Sequence, residues 1–182
     1  MVQLDLKLIN MQKYTFFWGG PFSQWAPSEI LIDGVKYNCC EQYMMAQKAL
    51  LFKDMESYDA IMKAQQPYEQ KALGRRVKNF DKDKWELVAK SVVYRANQAK
   101  FTQHKHYYDD LMATGDTLLV EASPEDKIWG IGLAESDPRI HDESQWQGTN
   151  WLGEIITDVR EDLRNEKEQW ASFIDEPNTF ML

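Results

Sequence analysis

Residues 29–52 read EILIDGVKYNCCEQYMMAQKALLF, and the fold turns on how that stretch divides. Its first part holds two β-prone runs on either side of Asp33-Gly34. That pair suits the positive backbone angles of a tight hairpin turn. Asn38 then stands as an N-cap, and the spacing predicts a helix over residues 40–52. A hairpin that feeds directly into a helix points to a mixed chain in which short strands carry loops between helices.

Working outward from there, residues 2–8 alternate apolar and polar, as a strand does. Residues 14–18 are aromatic and β-prone until Gly19-Gly20-Pro21 breaks them. Downstream, short helical pieces fit residues 57–64 and 67–75. A long helix fits residues 82–103, where Trp85, Val88, Ala89, Val92, Val93, Ala96 and Ala99 recur at helical spacing. A further helix over 106–113 stops at Thr114-Gly115. Residues 117–122 and 127–133 read as strands joined by the turn Ser123-Pro124-Glu125-Asp126. Residues 137–148 are polar and aperiodic and read as a loop, and a last helix covers 151–170. The expected architecture is α+β, predominantly helical with a few short β-strands. It forms a single domain over 1–170, followed by a flexible C-terminal tail over 171–182.

The 182 residues are 43% hydrophobic, enough for a core without staples. Seven tryptophans also permit a pocket walled by flat rings. The formal net charge of -8 argues against a chain that lies along nucleic acid. The nearest basic patch, Lys71 to Lys78, is short and reads as a local anion site or a solvated helix end. Two adjacent cysteines, Cys39 and Cys40, give no disulfide framework and no metal motif, which fits a reducing, cytoplasmic setting. The first residues do not form a signal peptide, and no apolar run approaches the ~20 residues that span a bilayer. Three histidines, His104, His106 and His141, are too few and too scattered for a convincing metal triad.

Three patches carry candidate chemistry. Glu41 and Lys48 lie seven apart on the helix after the hairpin, so both face one side, about 10 Å apart along the axis at ~1.5 Å per residue. Taken alone they read as surface charges flanking a packed stripe. Trp129-Gly130-Ile131-Gly132 lets backbone approach a ligand closely beside an indole, or marks a bulge in a strand. It is no dinucleotide fingerprint, because the third glycine is missing. Asn150 precedes the last helix, where backbone N–H groups hold a phosphate or merely receive a cap.

The patches together resemble the NADAR family, in order along the chain. Phe22-Ser23 with Trp25 is similar to its first loop; Gly34-Val35-Lys36-Tyr37, Glu41-Gln42-Tyr43 and Gln47-Lys48-Ala49 to its hairpin and central helix. Gly74-Arg75, Lys100-Phe101 with Gln103, Leu111, Thr114-Gly115 and Leu119-Val120-Glu121 follow. Asp126, Trp129-Gly130 and Gly132, then Gly148, Asn150, Leu152-Gly153 and Arg160, complete the series. Each motif is weak alone; the ordered set is specific and spans residues 14–164. This chain departs from the family at Gln24, where Asn is usual, at Gln42 in place of His, and at Ile131, where some members carry Asp. If either glutamine meets the base, its hydrogen bonds differ from the family's.

The resemblance implies a YbiA-like single-domain fold and an N-glycosidase that hydrolyses a ribosyl C1′–N bond. Its substrate would be an ADP-ribosylated guanine or a phosphoribosylamino-pyrimidine of riboflavin synthesis. It implies a carboxylate role for Glu41 and, for Lys48, that of leaving-group acid or Schiff-base nucleophile. Asp126 would orient Lys48 or accept a ribose hydroxyl. Phe22, Ser23, Tyr43, Arg75, Trp129, Gly130, Gly132 and Asn150 would bind substrate, with neither metal nor cofactor. The partner would be a small nucleotide, or an ADP-ribosylated guanine, free or gripped locally in nucleic acid. The alternative is a non-catalytic module that binds ADP-ribose or a related nucleotide.

Overall fold

The computed structural model describes residues 13–175; the strand expected over 2–8 and the chain beyond 175 lie outside the described residues. The hairpin stands where the opening stretch placed it. β2 (Ile30–Ile32) and β3 (Val35–Tyr37) pair antiparallel around Asp33 and Gly34, both at positive φ. β1 (Tyr14–Phe17) lies elsewhere and pairs in parallel with β4 (Leu118–Glu121), Tyr14 opposite Leu118 and Phe17 opposite Glu121.

Among the described residues six α-helices accompany these strands. α1 (Cys40–Leu51), α2 (Met55–Lys63) and α3 (Pro67–Gly74) pack on one another, and α1 packs on the long α4 (Lys82–Gln103). α5 (Lys105–Ala113) follows, and α6 (Trp151–Asp175), which runs past the expected end at residue 170, lies across β4 and α4. Asp54 and Asp81 cap α2 and α4 by accepting the N–H groups of Ser57 and Lys84. The β1–β4 pair is buried on both faces, as parallel pairs are. Leu119 and Phe17 join the main core, while Tyr14 and Val120 join a smaller one with Ile131, Leu133 and Ile140.

The expected cap of α1 is corrected. Its N-cap is Cys39, without a side-chain bond, because Asn38 is spent elsewhere. The Asn38 amide donates to the Gln65 carbonyl and accepts from Gln70 Nε2. Gln42 closes the helix start instead: its Oε1 accepts the Asn38 N–H at 2.7 Å, while its Nε2 donates to carbonyls at the end of α2.

A second correction concerns residues 127–133, which form turns and not a strand. Asp126 Oδ1 accepts the N–H groups of Ile128 and Trp129, curling the chain at its start. Two further N–H groups, of Ile131 and Gly132, donate back to the carbonyls of Glu121 and Asp126, and the carbonyls of Ile131, Gly130 and Trp129 accept the N–H groups of Gln147, Asn150 and Leu152 before α6 and at its start. The expected loop over 137–148 holds two single 3-10 turns, Pro138–His141 and Glu143–Gln145.

α6 sits unusually close to β4. A Cβ on Gly153 would stand 2.0 Å from the Leu119 carbonyl oxygen, so only glycine permits the approach. Asn150, at φ 52, reaches sideways: its Oδ1 accepts the Glu121 N–H and its Nδ2 donates to the Leu119 carbonyl, each at 3.0 Å. Arg160, 1% exposed, donates to Thr114 Oγ1 and so ties the turn before β4 to the same helix.

Candidate active site

A cavity of about 860 Å³ opens where α1, α3 and α4 meet the end of β4 and the start of α6. α1 contributes Glu41, Met44, Met45 and Lys48, one face of the helix. α3 contributes Lys71 and Arg75, and the approach to α4 adds Phe80, Lys82 and Trp85. Glu121 ends β4, Asp126 and Trp129 follow in the turns, and Trp151 starts α6. The segment after β1 brings Trp18, Ser23, Gln24 and Trp25.

That segment is held from behind. Lys100 is fully buried, and its Nζ donates to the carbonyls of Pro21 and Ser23 at 2.9 and 3.1 Å. The Gln24 carbonyl accepts the Glu41 N–H at 3.0 Å, which locks the segment to the first turn of α1. The Gln24 side chain is treated very differently. It is 9% exposed and lines the cavity, yet neither Oε1 nor Nε2 has a hydrogen-bond partner.

Burial dominates the electrostatics. Glu41 is 5% exposed, and desolvation pushes its carboxyl up to about 7. Lys71, a hydrogen bond from the Trp25 side chain and Arg75 pull it the other way, while Asp126 adds to the rise. Glu121 is also pushed up to about 7, first by burial, then by Asp126 and Glu41, against Lys71. Lys48 is lowered by burial, and its Nζ lies 4.1 Å from the centre of the Phe80 ring. Lys71 stands 3.9 Å from Asp126 Oδ2, so the cation beside Asp126 is Lys71 and not Lys48. Trp129 and Trp151 meet edge-on, with centroids 5.7 Å apart. Trp18 and Trp25 lie exposed at the mouth.

Of the residues singled out in the sequence, Glu41, Lys48, Asp126, Ser23, Arg75 and Trp129 come together on this cavity. The other five lie outside its lining. Phe22 is buried against Phe17 and Phe101, and Tyr43 meets Tyr37 edge-on inside the core. Asn150 is 2% exposed and spends its amide on β4, so it neither caps α6 with its side chain nor offers that amide to a phosphate. Gly130 and Gly132 serve close packing: a Cβ on Gly130 would meet the Glu121 carbonyl oxygen at 2.8 Å, and Gly132 has φ +69. Lys71, Glu121, Phe80 and Trp151 complete the wall without having been assigned to it. Lys71 belonged to the basic patch, which reads as an anion site or a solvated helix end, and Glu121 to a motif with no role of its own. Trp85 read as part of the apolar stripe of α4, and it does pack there while facing the cavity.

The three departures from the NADAR pattern now separate. Gln42 is structural, Ile131 is fully buried in the smaller core, and only Gln24 reaches the cavity. Both cysteines are free and buried, and burial raises both thiols. Among the described residues no three acidic, histidine or cysteine side chains converge as metal ligands would, and no helix is long and apolar enough to cross a membrane.

A family model described as the NADAR domain matches residues 16–164. The chain is 44% identical over 137 residues to Protein irg-1 of Caenorhabditis elegans, a match covering 74% of this chain and 64% of that protein. It is 40% identical over 167 residues to N-glycosidase R617 of Acanthamoeba polyphaga mimivirus, covering 85% and 98% respectively. The NMR structure of the Escherichia coli protein YbiA superposes with a TM-score of 0.71 at 30% identity, covering 93% of this chain and 92% of that one.

Proposed function

The chain belongs to the NADAR domain family, and from that premise we propose that it is an N-glycosidase, a hydrolase that cleaves a ribosyl C1′–N bond. Relatives named N-glycosidases in a mimivirus, in Nostoc punctiforme and in Escherichia coli support this reading. The observation that carries it is Glu41, a carboxyl buried in the wall of a tryptophan-lined cavity.

Cleavage of such a bond passes through a transition state with positive charge spread over C1′ and the ring oxygen. A carboxylate held in a water-poor site stabilises that charge far better than water does, because it needs no reorganisation. Glu41 supplies it, and as its anion it also accepts a proton from the attacking water. Trp129 and Trp151 offer ring surface to a flat base. Lys71 and Arg75 face the same space from α3 and suit phosphate oxygens, Arg75 in two-pronged fashion. Lys48, half-buried and lowered, serves as leaving-group acid or as an amine that traps the opened sugar. The volume, toward the upper end for small-molecule sites, suits a nucleotide. The substrate is either ADP-ribosylated guanine, free or presented at one exposed base, or a phosphoribosylamino-pyrimidine.

The test is a parallel incubation of the purified protein with ADP-ribosyl-guanosine, free and in an oligonucleotide, and with a phosphoribosylamino-pyrimidine. Products are read by mass. Release of base or of ADP-ribose from one of them is expected, and Glu41→Gln should lower it by ~100-fold or more while the protein stays folded. Full activity in that variant removes Glu41 from the mechanism.

A further inference from the structure

The backbone of Glu121 is pinned at both its N–H and its carbonyl. Its N–H donates to Asn150 Oδ1 and its carbonyl accepts the Ile131 N–H, both at 3.0 Å. Glu121 lines the cavity, and its Oε2 is buried with no hydrogen-bond partner. A buried carboxylate oxygen without a donor is costly; the same oxygen carrying a proton is a donor awaiting an acceptor. The opposing walls present Glu41 and Lys48 from α1, with Lys71 and Arg75 from α3. Lys82 and Glu86 come from α4, and Glu125 and Asp126 from the turns.

These neighbours are unevenly shared. Lys71, Arg75 and the Trp25 side chain all favour an ionised Glu41. Glu121 has Lys71 alone on that side, against both Asp126 and Glu41. Where two buried carboxyls share one site, the proton favours the one with less support.

Resting on the N-glycosidase reading, we propose that Glu121 is a catalytic residue, the acid that protonates the leaving nitrogen, opposite an ionised Glu41. The Glu121 O–H proton passes to the nitrogen as the C1′–N bond breaks, and the bonding pair leaves with the nitrogen. Water adds to C1′ and gives its proton to Glu41. Exchange with solvent returns Glu41 to its anion and Glu121 to its acid. Unequal environments set unlike roles for two like groups, as in other sites built on paired carboxyls. Of the two roles open to Lys48, proton delivery then passes to Glu121.

The experiment is a kcat–pH profile, with the substrate found above, for the wild type, Glu121→Gln and Glu41→Gln, alongside the melting temperature of each. The wild type should show a bell, since one carboxyl must be ionised and the other protonated. Glu121→Gln should lose the alkaline limb and ~100-fold or more in kcat, with KM changed by less than about threefold. It should melt no lower than the wild type, because the amide replaces a buried acid of the same shape. Glu41→Gln should lose the acid limb. An alkaline limb that survives in Glu121→Gln, or a kcat within about threefold of wild type, overturns the assignment and leaves the N-glycosidase reading standing. A wild type that cleaves no N-riboside overturns both.

Discussion

The Gln24 amide holds a donor and an acceptor, and spends neither. Leaving a buried polar group unpaired costs about 1–3 kcal/mol. The position is also the only one of the three family departures that lies on the cavity. Replacing the amide by an apolar group of similar size removes the cost. Gln24→Leu should therefore raise stability by about 1 kcal/mol in denaturant titration, and at the same time weaken substrate, raising KM by ~10-fold. A loss of stability would mean that the amide is satisfied in the fold. The sequence marked Gln24 as unusual but not as unpaired, since pairing is set by the neighbours a side chain acquires. Glu121 went unassigned for the same reason. In the sequence it belongs only to a β-prone run and a family motif, and its burial comes from elements packed beside the strand end, with Asn150 and Ile131 bonding its backbone. Asn150 errs the other way: its motif is conspicuous, yet its amide builds the fold and does not face a ligand.

At the level of elements, the helices were legible because burial on one face imposes a period that residues 82–103 display for six turns. Residues 127–133 misled because Ile128, Trp129, Ile131 and Leu133, interrupted only by Gly130 and Gly132, read as a β-prone run. What decides the matter is where the backbone donors and acceptors go, and Asp126 diverts them locally. The cap of α1 misled similarly, as Asn38 found partners in Gln65 and Gln70 that lie distant in sequence. The contact between α6 and β4 is the tightest of these joints. Gly153→Ala places a methyl 2.0 Å from the Leu119 carbonyl oxygen, so helix and strand must part. The expected loss is about 3 kcal/mol in denaturant unfolding. Activity should fall further than stability alone explains, since Glu121 ends the same strand. A variant as stable as the wild type would show that the joint yields freely.

For the whole molecule, the two raised carboxyls set a pH dependence. Glu41 and Glu121 titrate near 7 when folded and near 4.5 when the chain is unfolded. The folded state thus binds more protons between those values, and stability falls as pH rises from about 4.5 to about 7. Asp54 and Asp137, held down to about 2 by hydrogen bonds, act in the opposite sense, but only below their ordinary value of 3.8. The melting temperature should decline from pH 5 through pH 7 and level only about one unit above it, and the decline should shrink in the Glu41→Gln, Glu121→Gln double variant. A flat profile in the wild type would mean that neither carboxyl holds a proton at pH 5.

The parallel pairing of Tyr14 with Leu118 also dictates an order of assembly. Helices α1 to α5 can form from neighbours along the chain, but the strand before them waits for the strand after them. Glu121 then waits for Asn150, which fixes its backbone. During synthesis, at ~5–20 residues per second, the growing chain carries Glu41 for several seconds before residues 121 and 150 exist to face it. A half-made copy consequently exposes Trp18, Trp25 and Trp85 of an unfinished pocket while lacking the Glu121 side of its wall. The long loop that must close makes the last step slower than so helical a protein would otherwise require. The cavity wall becomes complete only when the fold does, so a nascent copy carries the Glu41 side of the cavity without the Glu121 side.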